Sequence, residues 1–143
     1  EEPRESHVAI HTRGKSANTA HASASLASVA LDGSISDSSI NDGLVHEVHI
    51  RYTPDISVDD MFFAIESGEI TGLSTALSSH TADTLGILAV HLDDAVEPLM
   101  SVPFAVESIL RDGHTDAWVG FTASSGELWQ AVDVLEWSVQ TPS

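Results

Sequence analysis

Residues 45–52 read Val45-His46-Glu47-Val48-His49-Ile50-Arg51-Tyr52. Val48, Ile50 and Tyr52 recur at every second position, and His49 and Arg51 fill the gaps. A period of two sends alternate side chains to opposite faces of an extended chain, so this stretch predicts a half-buried β-strand. Thr53-Pro54-Asp55 carries the residues that end one. Working toward the N-terminus, the polar run from Ser34 to Gly43 closes on the turn residues Asn41-Asp42-Gly43. Ala22 to Leu31 is small and apolar with serines interleaved, ending at Asp32-Gly33. His7 to Thr12 is a short strand-like run closed by Arg13-Gly14-Lys15-Ser16.

Working toward the C-terminus, Met61, Phe62, Ile65 and Glu69 fit helical turns, but Gly68 and Gly72 interrupt them. Strand logic returns at Leu85 to Leu92, before a turn at Asp93-Asp94, and at Leu99 to Phe104. Ser108 to Asp112 fits a single helical turn. Ala117 to Ala123 predicts a buried strand and Val132 to Val139 a final one. Short strands separated by Gly, Pro and Asp turns, without a fixed repeat, predict an all-β antiparallel sandwich or jelly roll.

Composition narrows the function. The 143 residues suit one domain, here 1–143. Twenty-two acidic residues face five basic ones, for a net charge of −17. One Lys and four scattered Arg cannot cover a phosphate backbone, so nucleic acid is excluded as a partner. The same sign argues against an anionic membrane surface. There is no cysteine, hence no disulfide, zinc-thiolate site or thiol nucleophile. Hydrophobic residues at 42 % suffice for a packed core, so the acidity reads as a hydrated surface rather than disorder. Calcium is the sharper alternative for such carboxylates.

Several segments together resemble the closing part of L-type (legume-type) lectins. Ala117-Trp118-Val119-Gly120-Phe121-Thr122-Ala123-Ser124-Ser125-Gly126 resembles that family's V-G-F-[ST]-A-[ST]-[ST]-G strand and turn. Asp133-Val134-Leu135-Glu136-Trp137-Ser138 resembles its D-[IV]-L-x-W-[ST] strand. Pro98 to Phe104, followed by Ser108-Ile109-Leu110, is similar to its P-L-L-x-V-P-x-x-L-x-x-L connection. Leu88-Ala89-Val90-His91-Leu92-Asp93-Asp94 resembles its L-x-V-x-L-D strand, and Val45 to Tyr52 resembles its V-x-I-x-Y strand. Ser6 to Thr12 resembles the N-H-[VI]-x-I strand that follows the family's metal loop. The matches keep family order and cover most of the chain outside 55–84, which is expected to be an insertion or long loop.

The resemblance implies a concanavalin A-like jelly roll and non-catalytic carbohydrate binding. It covers only the C-terminal portion of a domain of about 230 residues, a size open to single all-β domains. A second chain carrying the N-terminal half, or further copies of this one, is therefore expected to complete the sandwich. His7 matches the histidine that ligates the transition metal, and Glu2 falls where the family places a bridging Asp. The implied cofactors are Ca²⁺ and Mn²⁺ or another transition metal; imidazole suits the latter. The alternative is an edge histidine beside a frayed acidic terminus. Ser125, Gly126, Glu127, Trp129 and Gln130 lie at the family's variable specificity loop. Placed polar groups would hold sugar hydroxyls and Trp129 would stack on the ring. Alternatively, Trp129 caps the sandwich edge.

Three catalytic readings fail. His46-Glu47-Val48-His49 is one residue short of H-E-x-x-H, and its histidines face opposite sides of a strand. His7 and His11 would lie about 13 Å apart, too far for one metal. No spacing pairs Glu107 with Glu136, or Asp93 with Asp94, as glycosidase acids. The expectation is a glycan-binding protein, not an enzyme, in an extracellular setting. The sequence around Glu1 suits a secreted mature chain, a cytosolic chain or a fragment. The second expectation is an assembly protein, building dimers or extracellular filaments by pairing jelly-roll edges.

Overall fold

The computed structural model describes residues 6–31, 40, 42–66, 84–93, 95–110, 116–124 and 131–141. They form an all-β fold of two antiparallel sheets with one short α-helix. The first sheet pairs β1 (His7–His11) with β2 (Ser25–Ala30). His7 stands opposite Ala30 and Ile10 opposite Ala27, and the register shifts between Ile10 and His11. The pairing runs on at both ends: Leu31 N–H donates to Ser6 O at 2.8 Å and Thr12 N–H to Ala24 O at 2.9 Å. The connection turns at Gly14, whose φ of +58° suits a residue without Cβ.

The second sheet contains β3 (Val48–Ser57), β4 (Thr84–Leu92) and β5 (Met100–Phe104), in that spatial order. Tyr52 stands opposite Leu88, and Leu88 opposite Val102, so the alternation read from the sequence does mark one face. That face carries Val48, Ile50 and Tyr52, then Leu88, Val90 and Leu92, then Met100, Val102 and Phe104. Burial deepens across it: Val48 and Ile50 are exposed, while Val90, Leu92, Met100 and Val102 are buried. β2 lies against β5, which is buried along its whole length.

Two features depart from expectation at Thr53-Pro54-Asp55. The strand does not end there. Thr53 pairs with Ile87 and Ile56 with Leu85, so Pro54 and Asp55 together oppose Gly86. Two residues against one is a β-bulge. Asp55 takes φ +57°, a left-handed conformation that Asp tolerates better than most residues. Pro54 has no N–H to offer a ladder, and β3 is the edge of its sheet among the described strands.

Directly after β3 the chain winds into α1 (Val58–Glu66). Ser57 starts it: its Oγ accepts from Asp60 N–H at 3.1 Å and donates to Asp60 Oδ2 at 2.6 Å. A side-chain oxygen on a first-turn N–H is an N-cap, and Asp59 and Asp60 place negative charge at the helix's positive end. Met61 is buried with Leu85 and Ala105, with Ile56 and Ile87 packed around them. Met61 thus belongs to a core against the sheet, whereas Phe63 is exposed. The expected insertion 55–84 begins inside the bulge, and its described part completes β3, forms α1 and opens β4 at Thr84.

The C-terminal expectation is not met. Residues 116–124 and 131–141 ladder to none of the described strands. Trp118, Val119, Phe121, Val132, Val134, Leu135, Trp137 and Val139 are all exposed. The Phe121 and Trp137 rings do meet edge to face, 5.7 Å apart. Strand-like periodicity shows that a segment is able to be buried, and here nothing described covers it. The single helical turn expected from Ser108 falls earlier, as a 3-10 turn over Val106–Ser108.

Candidate functional site

Polar side chains concentrate where the chain enters β3 and leaves β4. Gly43, with φ +78°, bends the entry segment, and Leu44 N–H donates to Asp42 Oδ1 at 2.8 Å. That turn brings His46 back over Asp42. The ring's Nε2 lies 3.0 Å from Asp42 Oδ1 and its Nδ1 lies 3.2 Å from Asp93 Oδ2. The two strands close on the same point. Asp93 N–H donates to Glu47 O at 2.7 Å, and Glu47 N–H donates to Asp93 Oδ1 at 3.0 Å. Asp93 reaches this position through φ +54° in the turn after β4.

The electrostatics follow from the contacts. Hydrogen bonding to Asp42, then to Asp93, holds the His46 pKa above its ordinary value, against an opposing effect of burial. The Leu44 N–H, then the His46 ring, hold Asp42 below the usual carboxylate range. The His46 side chain is 15 % exposed, so the pair is shielded but reachable by water. Glu47 turns its own carboxylate away, to His49 Nε2 at 2.9 Å. His91, opposite His49 in the ladder, turns Nδ1 toward Ala95 O at 3.4 Å.

A second polar concavity lies at the other end of the sheet. A cleft of about 140 Å³ opens beside the bulge, walled by Tyr52, Pro54, Asp55, Gly86 and Glu107 among others. The Tyr52 hydroxyl donates to Phe104 O at 3.4 Å, and the two rings meet edge to face at 6.4 Å. Burial pushes the phenol pKa up; the Val106 N–H opposes this, and the charges of Glu107 and Asp55 add to it. A phenol and two carboxylates at this cleft can accept hydrogen bonds from hydroxyl groups.

Of the residues singled out from sequence, His7 lies at the start of β1, opposite Ala30 and partly buried. Glu2, Ser125, Gly126, Glu127, Trp129 and Gln130 lie outside the described residues. Among the described residues, no group of three or more His, Asp or Glu side chains is placed to hold a metal ion. No described helix is long and apolar enough to cross a membrane. No local sequence signal marks the Asp42–His46–Asp93 junction: Asp42 and Asp93 sit in turn sequences, and His46-Glu47-Val48-His49 is one residue short of a zinc motif. Comparison with known protein families, curated proteins and solved structures finds no match to this chain.

Proposed function

We propose that this chain is a non-catalytic carbohydrate-binding module of the L-type lectin kind, working as part of a larger sandwich. One observation carries the reading. The segments resembling the family's V-x-I-x-Y, L-x-V-x-L-D and P-L-L-x-V-P motifs are neighbours in one antiparallel sheet, in register, as β3, β4 and β5. Sugar is held at the loop of Ser125, Gly126, Glu127, Trp129 and Gln130, with Trp129 against the C–H face of the ring. His7 and Glu2 contribute to a site for Ca²⁺ and a transition metal that braces the loops, with remaining ligands from a partner chain. The expected setting is extracellular. A chelator separates the parts of this reading: metal removal lowers both the melting temperature and sugar affinity. An unchanged melting temperature and affinity would remove the metals from it.

A second reading, assembly by edge pairing, is favoured by a different observation. Val48 and Ile50 are exposed on β3, the edge of its sheet among the described strands, and Trp118, Phe121 and Trp137 are exposed on the C-terminal segments. Apolar surface of this kind marks interaction sites, and an open strand edge is a template for another strand. Sedimentation over a range of concentrations tests it. Association that weakens on Trp118→Asp supports assembly, and a monomer at all concentrations contradicts it.

A further inference from the structure

We propose that Asp42, His46 and Asp93 form a proton-operated clasp that ties the segment entering β3 to the turn leaving β4. Only one protonation state of the ring satisfies both carboxylates. A carboxylate only accepts, so both ring nitrogens must carry hydrogen for both contacts to be hydrogen bonds. Only the imidazolium has two. The neutral ring donates from one nitrogen and turns a lone pair toward the other carboxylate, which repels it.

The geometry also says which contact opens. Nε2 sits 3.0 Å from Asp42 Oδ1, whereas Nδ1 sits 3.2 Å from Asp93 Oδ2. Asp42 is four residues away in the chain and Asp93 is 47. The neutral ring keeps its proton on Nε2 and stays with Asp42. The long-range tie to Asp93 is released, leaving the two backbone-linked contacts of Glu47 with Asp93 to hold the strands. Among the described residues, the charged groups facing the ring are Asp42 from its own segment and Asp93 from the end of β4. Glu47 is turned to His49, and His91 to the Ala95 carbonyl. Acidification therefore closes the clasp, and passage above the His46 pKa opens it. Histidine is the side chain whose titration places such a switch near neutrality.

Long-range nitrogen–proton NMR of the imidazoles, recorded from pH 4 to 9, tests this in the wild-type protein, Asp42→Asn and Asp93→Asn. Asparagine keeps an oxygen for the Glu47 and Leu44 N–H groups; at position 93 it also turns an NH2 donor toward Nδ1, which favours the neutral ring as the loss of charge does. The expected result has three parts: His46 carries both protons at pH 5, becomes the Nε2–H tautomer at high pH, and titrates at lower pH in each variant. Should a variant fail to fold, the wild-type tautomer alone decides. A His46 midpoint unchanged by both substitutions, or a high-pH ring protonated on Nδ1, would overturn the proposal.

Discussion

The Tyr52 ring lies across Gly86, the residue that the Pro54-Asp55 bulge opposes in the neighbouring strand. A Cβ at position 86 would overlap the Tyr52 hydroxyl and the adjoining ring carbons. The bulge, the missing side chain and the edge-to-face contact of Tyr52 with Phe104 form one packing unit across all three strands.

Gly86→Ala therefore forces the ring out of place. Overpacking of this kind costs about 1–3 kcal/mol. Chemical denaturation checks it, and a cycle with Tyr52→Ala assigns the cause. In the Tyr52→Ala background the cost of Gly86→Ala falls, with a coupling of about 0.5–3 kcal/mol for residues in contact. Additive costs would mean that the ring does not depend on Gly86.

Ser57 offers a simpler test. Its hydroxyl caps α1, and α1 carries Met61 into the core beside Leu85 and Ala105. Ser57→Ala is expected to lower stability by about 1 kcal/mol, the usual loss for an N-cap. Ser57→Thr keeps a hydroxyl that both accepts from the Asp60 N–H and donates to its carboxylate, and recovers most of it. Equal stability of Ser57→Ala and wild type would show that α1 is held by Met61 burial alone.

How much of this was legible in the sequence differs from element to element. β3 and β4 were, because Val48-Ile50-Tyr52 and Leu88-Val90-Leu92 alternate, and alternation survives any arrangement that buries one face. The bulge was not. Pro54 and Asp55 are terminators in a local reading, and only the pairing with Gly86 shows that the strand resumes. The Ser57 cap had a local signal, an N-cap residue three before Asp60, but Gly68 and Gly72 interrupt the helical pattern beyond a helix as short as α1. The junction at His46 had none, because 47 residues separate it from Asp93. Residues 117–123 show the reverse failure. Their apolar pattern is strand-like, yet Trp118 and Phe121 are exposed, since pattern encodes a need for cover and not its source.

Stability should depend on pH through the clasp, in a direction fixed by the two shifts. His46 has a raised pKa in the folded protein, so its stabilisation is complete below its ordinary value of 6.5 and is lost as pH rises through the raised one. Asp42 has a lowered pKa, so its contribution is present above 3.8 and is lost as pH falls through the lowered one. The melting-temperature difference between wild type and His46→Gln is therefore largest between pH 3.8 and 6.5 and shrinks at higher pH. A difference that stays constant from pH 4 to 9 would mean that the ring's charge does not matter.

The central claim is carbohydrate binding, and an immobilised-glycan panel probed with the wild-type protein and Trp129→Ala, in the presence of Ca²⁺ and Mn²⁺, tests it most directly. Retention on a defined set of related glycans, lost on Trp129→Ala with the melting temperature unchanged, is the predicted result. Absence of retention on any glycan, or retention indifferent to Trp129, would contradict the proposed site.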